Sequence, residues 1–275
     1  MRAIVLGLVL ASSVTASSLA AEQISVNPMR DIVVIVEHDK ANCVITLNGI
    51  PIQRLDMAQL PGAGPPTATI SLGLWAIEGD NVVTVAAEPA GKPDEAETDV
   101  KLMVATGGFD DFDKPPLFHQ KIAGGGTATT TIALTGVPHW IFNDAEPFTG
   151  DRAELLATVK ALHQAYADKD FKTVDAISKA VIDDLTKVYG PMDEMIEDGH
   201  KFAATAKLTP WSDRLTVESA LGNRVFVVSR AGGRAPVELA SPEIDPDTKL
   251  PKEFVETGKF WIKLGGKWSV VRLGG

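Results

Sequence analysis

From residue 22 to about 136, apolar residues come in short runs broken by turn residues. Ile32–Val36 is a continuous, mostly β-branched run. Cys43–Leu47 and Ile50–Ile52 flank Asn48-Gly49, the dipeptide best suited to a two-residue hairpin turn because both positions must adopt positive φ. Thr67–Leu74, Val82–Ala87, Val100–Ala105 and Thr129–Leu134 are further strand-length runs. They are separated by Glu78–Asn81, by the charged stretch Lys92–Asp99 and by the Gly- and Pro-rich stretch Gly107–Gly126, which reads as a connection. No helical period falls between these runs, so this part predicts an all-β sandwich. Val137–Phe142 follows, and its Trp140 and Phe142 are placed to pack between this part and the next.

After residue 150 the period changes. Asp151 is positioned to cap a helix carrying Leu155, Leu156, Val159, Leu162 and Tyr166 on one face. Asp170 is positioned to cap a second, with Phe171, Val174, Ile177, Val181, Leu185 and Val188, ended by Gly190-Pro191. Met192, Met195, Ile196, Phe202 and Ala206 predict a third. Strands then recur at Leu215–Ala220, Val225–Ser229 and Val237–Ala240. The pair Phe260–Leu264 and Lys267–Val271 meets at Gly265-Gly266, again a two-residue hairpin. Helices followed by hairpins form an α+β layer in which the helices cover one face of the sheet.

The first 21 residues have a separate pattern: Arg2, the apolar run Ala3–Ala11, then small residues up to Ala20 and Ala21. That is the layout of a cleavable secretory leader, and the apolar run is too short to cross a bilayer. No cysteine follows it, which argues against a lipid anchor. The chain thus divides into a leader (1–21), a β-sandwich domain (22–136), a linker (137–150) and an α+β domain (151–275). The mature protein is expected in the periplasm or outside the cell, with no membrane insertion.

Charge narrows the choice of partners. The 275 residues carry a formal net charge of −10, which repels phosphate backbones and anionic lipid heads. Nucleic acid is not an expected partner. The single cysteine, Cys43, has no partner for an internal disulfide and reads as a buried, unreactive thiol.

Two resemblances add to this reading. Gly79–Val85 resembles a strand of bacterial immunoglobulin-like β-sandwich modules. Ala165–Phe171 and the terminal Gly266–Val271 strand make residues 151–273 resemble the nuclear-transport-factor-like superfamily, whose fold is the cystatin-like cone of helices on a curved antiparallel sheet. That family contains isomerases and cyclases of apolar ring compounds as well as binding proteins without catalysis. Its ketosteroid isomerases use a helix-one tyrosine in the oxyanion hole. The matching position here falls near Leu162, which cannot donate a hydrogen bond. The region that would supply their base instead continues as helix through Asp183-Asp184, expected to face solvent.

The remaining chemistry is sparse. His38, His119, His139, His163 and His200 show no metal-ligand spacing. His163 reads as a hydrogen-bonded histidine at the core edge, and His200 as a partner of Glu197 on a solvated face. The groups Asp110/Asp111/Asp113 and Asp245/Asp247 do not follow a calcium-loop pattern. Gly124–Gly126 leads into a strand and lacks the helix N-terminus that holds phosphate. No catalytic residue, metal ligand or cofactor site is assigned. Aromatic residues of the α+β part, Tyr166, Trp211, Phe226 and Trp261, are the candidate ligand-binding residues. The expected function is binding, with another protein as the first-choice partner. A small apolar molecule carried or converted in the cone pocket is the alternative.

Overall fold

The computed structural model describes residues 24–25, 31–56, 67–105, 114–247 and 249–274. The expected leader, Phe109 and the Asp110/Asp111/Asp113 group lie outside the described residues. The chain is β-rich up to residue 135 and mixed α+β beyond it. Among the described residues, no helix is long and apolar enough to cross a membrane.

The first part contains β1 (Ile24–Ser25), β2 (Asp31–Asp39), β3 (Ala41–Leu47), β4 (Ile50–Leu55) and β5 (Thr67–Ser71). It continues with β6 (Gly79–Pro89), β7 (Glu97–Ala105), β8 (Phe118–Ala123) and β9 (Gly126–Thr135). They form a five-stranded sheet, β1-β9-β6-β3-β4, and a four-stranded sheet, β5-β2-β7-β8. Asn48 and Gly49 join β3 to β4 with φ of 52° and 79°, the backbone that the Asn-Gly pair favours. Alternation sets the faces. Ala41, Cys43, Ile45 and Leu47 of β3 meet Ile32, Val34 and Val36 of β2 in one core. Val33 and Ile35 face the other way and pack with Met103, which explains the unbroken apolar run in β2. Cys43 is fully buried, 3.8 Å from the Thr98 hydroxyl, and burial pushes its thiol up from the ordinary value.

One strand departs from the sequence pattern. The stretch expected to be a connection through Gly126 contains β8, which pairs with β7 from Glu97↔Ala123 to Leu102↔Phe118. Only Ile122 of β8 is fully buried. An edge strand of this kind is held by its neighbour's backbone, so it leaves little hydrophobic period in the sequence.

The second part carries α1 (Ala153–Asp168), α2 (Phe171–Ile177), α3 (Lys179–Tyr189) and α4 (Asp193–Thr205). Its strands are β10 (Lys207–Leu208), β11 (Thr216–Ala220), β12 (Val225–Ser229), β13 (Val237–Ala240), β14 (Phe254–Leu264) and β15 (Lys267–Gly274). The long β14 pairs with β13 and β12 along one edge and with β15 along the other. The Asp151 carboxylate accepts from the Ala153 amide, and that of Asp170 accepts from the Thr173 amide. Where the sequence predicts a single helix from Phe171 to Val188, the structure breaks it at Ser178. The cause is distant in sequence: the Ser269 hydroxyl of β15 donates to the Ile177 carbonyl at 2.7 Å and accepts from the Ala180 amide at 3.3 Å. A side chain inserted into the helical ladder replaces its bonds and kinks it.

The C-terminal sheet is covered on both faces. Phe226, Val228, Trp261 and Val270 pack beneath Leu155, Val159 and Leu162 of α1. Val225, Val227, Phe260, Ile262 and Val271 point the opposite way and join the core of the N-terminal sheets. Trp140 and Phe142 complete this shared core, and Trp75 meets Phe260 edge-on at 4.6 Å.

A buried ion pair ties the parts together. Arg272 of β15 donates to Asp184 of α3 at 2.8 Å and, through Nε and Nη2, to the Leu74 carbonyl at 3.0 and 2.7 Å. Its guanidinium lies 5.4 Å from the Trp75 ring, 4.7 Å from Trp140 and 5.3 Å from Phe142. Asp184 also accepts from the Ile141 amide at 2.9 Å. The solvent-facing role expected for Asp183-Asp184 therefore fails for Asp184, which is completely buried. Removing one partner of such a pair strands the other charge in the interior. Asp184→Ala or Arg272→Met should each lower stability by about 3–5 kcal/mol in urea unfolding. The double variant should lose less than the sum. Losses below about 1 kcal/mol for both single variants would show that this pair does not hold the parts together.

Candidate functional site

α4 is lightly held. Of its residues only Ala203 is buried; Ile196 and Phe202, and Met192 just before the helix, are half-buried. Beneath it lies a cavity of about 160 Å³. One wall is Val174 and Asp175 of α2 with Val181 and Leu185 of α3. The roof is Met195, Ile196 and Phe202 of α4 with the preceding Met192, and the floor is Leu239 of β13 with Val255 and Thr257 of β14. Tyr166, at the end of α1, closes one end. Met195 and Val255 are 52% and 37% exposed, so the mouth lies between α4 and the edge of the sheet.

Besides Ser178, three polar features stand in this apolar setting. Thr257 is 1% exposed and its Oγ1 has no hydrogen-bond partner, an uncommon state for a buried hydroxyl. Its placement follows from Gly258, at φ +72°, where the register of β14 against β15 shifts between Glu256 and Phe260. A Cβ at Gly258 would lie 3.0 Å from Leu162 of α1, and the positive φ there favours glycine. The second feature is Tyr166, whose phenol is pushed up to about 12 by burial, with the Asp175 charge adding to the shift. Third, His200 of α4 meets Asp175 of α2 at 2.8 Å and stacks on Phe171 at 4.6 Å. Glu197, the sequence-expected partner of His200, bonds Lys201 instead at 3.0 Å. The helix-to-helix contact wins because His200 faces α2.

The four aromatic candidates have different surroundings. Tyr166 lines the cavity. Phe226 and Trp261 are 2% and 0% exposed and lie in the packing beneath the helices, away from the cavity; the Trp261 indole donates to the Gly258 carbonyl at 2.5 Å. Trp211 lies at the core edge, bonded to Asp213 at 2.7 Å and edge-on to His163 at 5.3 Å. His163 donates from Nε2 to the Thr209 carbonyl at 2.8 Å. The sequence reading missed Thr257 and the His200–Asp175 pair. A glycine in the middle of an apolar strand was the available signal for the first. Nothing local announces the second, since the partners are far apart in sequence.

A larger open groove of about 550 Å³ runs between α1, the α2–α3 break and the β14–β15 hairpin. Of its charged groups, Lys179 pairs with Asp183 at 2.7 Å and Glu154 with Lys263 at 2.5 Å, while Lys267 also lines it. Among the described residues, no group of three or more His, Cys, Asp or Glu side chains could hold a metal ion. In comparisons with known proteins, no family model, curated protein or solved structure matches the chain.

The His200–Asp175 contact is the specific polar link between α4 and α2. His200→Ala should speed amide hydrogen exchange across α4 about two- to five-fold, matching the modest value of a partly exposed pair. Unchanged exchange in α4 would show that apolar contacts alone hold the helix down.

Proposed function

We propose that the protein is an exported binding protein that holds a small apolar molecule in the cavity beneath α4. In this reading residues 22–136 form a β-sandwich domain, 137–150 a linker, and 151–275 a cystatin-like α+β domain that carries the site. The leader-like first 21 residues direct the chain to the periplasm or beyond. The observation that carries the proposal is the cavity itself, apolar on nearly all sides and opening at Met195 and Val255. An apolar interior void of about 150 Å³ accommodates one benzene ring, so the scale suits a single ring or a short hydrocarbon chain.

A protein partner, the other expected class, has less support. The centre of the sheet face turned away from the helices, at Val225, Val227, Phe260 and Ile262, is covered by the N-terminal core, which removes that area as a partner surface. Catalysis also has little support in this cavity. Its one close pair of titratable groups, His200 and Asp175, is engaged in holding α4 to α2, and in the resemblance to the isomerases their tyrosine position falls near Leu162.

Toluene is a suitable first probe. Titration followed by NMR should show saturable binding with a dissociation constant on the order of 0.1–1 mM. Ala203→Phe, which places a ring in the cavity, should abolish that binding while the protein stays folded. Failure of the wild-type protein to bind toluene would sink the proposal. The N-terminus of the exported protein, read by sequencing, should begin at Ala21 or Glu22.

A further inference from the structure

Away from the cavity, charged residues gather where β4 of the first part meets β14 and the loop at residues 231–235. Arg54 of β4 packs against that loop, and a Cβ at Gly233 would lie 3.1 Å from its Cδ. We infer that Lys259 and Arg54 form a binding site for a small oxyanion, a carboxylate or phosphate group, at this junction. The site is separate from the cavity beneath α4 and does not depend on the binding role proposed above.

Lys259 of β14 carries the inference. It is 7% exposed, yet among the described residues its ammonium makes no hydrogen bond or ion pair. Its nearest aromatic contact is loose, 5.6 Å from the Phe260 ring centroid. Among the described residues, the side-chain polar atoms sealed from solvent without a partner belong to His38, Thr257 and Trp268. The Lys259 Nζ is not among them, so an ion can reach it. A lysine buried to this degree is ordinarily paired, because an unpaired charge loses its hydration for nothing in return. Burial pushes this amine down from the ordinary lysine value; the Glu256 charge opposes the shift and that of Arg54 adds to it.

The neighbouring carboxylates are committed elsewhere. Glu238 of β13, fully buried, accepts from Arg234 Nε at 2.6 Å and again from its Nη2, and Arg230 donates to it at 3.4 Å. Glu256 stands opposite Glu238 in the β13–β14 pairing, and its Oε1 accepts from the Ala235 amide at 3.2 Å. Burial, with the Glu238 charge adding, pushes the Glu256 carboxyl up, which makes it a weak counter-ion for Lys259. Arg54 is exposed, and among the described residues its guanidinium is unpaired. Arg54, Arg230, Arg234 and Lys259 thus meet only Glu238 and Glu256, a local excess of positive charge in a chain of net charge −10. Such an excess attracts an anion. The arginine fork matches the paired oxygens of a carboxylate or phosphate, and the ammonium adds a point charge. The low exposure of Lys259 admits a small ion.

Inorganic phosphate and acetate, each titrated at constant ionic strength against a chloride control, test this by NMR at pH 7. At least one of them should give saturable shifts at the Arg54 Nε–H and at the backbone amides of Arg54, Gly233 and Lys259. The dissociation constant should be on the order of 1 mM. Arg54→Gln, a change at an exposed side chain, should weaken that binding at least about ten-fold, and Lys259→Met should abolish it. Glu256→Gln keeps an acceptor for the Ala235 amide and removes the competing charge. It should tighten the binding about three-fold. No saturable shift at these positions with either ion would overturn the inference, as would equal affinities in the wild-type protein and Arg54→Gln.

Discussion

The architecture depends on where Arg272 puts its charge. The residue sits near the end of the last strand, yet its guanidinium reaches the Leu74 carbonyl in the N-terminal sheets and Asp184 in α3. Asp184 in turn takes the Ile141 amide from the segment joining the two halves. Three elements far apart in sequence are thereby fixed to one buried pair. Trp75, Trp140 and Phe142 surround the cation, which offsets part of its desolvation through their ring faces. Burial lowers the Arg272 pKa and the Asp184 charge raises it, so each charge is tolerable only with the other present. A replacement by well-packed apolar residues could fill this space, but it would lose the directional bonds that fix how the halves meet.

That junction accounts for the burial of the C-terminal sheet. One face takes the helices and the other takes the N-terminal core, so the strands β12 and β14 are apolar on both sides. A sheet that packs on both faces is held in place by its neighbours, and change is left to what lies above its margin. α4 is that element: a single buried residue, one side-chain hydrogen bond to α2, and a cavity underneath. The structure therefore combines a rigid floor, carrying Thr257, with a lightly attached roof. This is the combination that a site for a small buried ligand requires, since the ligand must enter and then be enclosed.

A backbone irregularity lies at the same place. Gly258 takes a left-handed backbone under Leu162, the strand register shifts around it, and Thr257 is left without a bond. An apolar residue at 257 would serve the fold better.

Much of the secondary structure was legible from the chain alone, because it is dictated by local patterns. Period-two and β-branched runs place β2, β3, β6, β7 and β9, Asn48-Gly49 and Gly265-Gly266 place two hairpins, and Asp170 places a helix start. Each of these signals acts between residues near in sequence, through backbone conformation or a single capping bond. What the tertiary structure alone decided acts across long separations. Ser269 breaks a helix ninety or so residues earlier in the chain, measured from Ile177 to Ser269. Asp184 looks like a surface charge on its helix until Arg272 meets it, and β8 becomes a strand only because β7 offers an edge. The candidate site belongs to this second class: Tyr166 was visible as an aromatic on a helix, whereas the cavity and the His200–Asp175 pair exist only once the helices and the sheet have come together. A short pattern specifies the direction of a backbone, and a pocket is the space left between elements that such patterns cannot relate to one another.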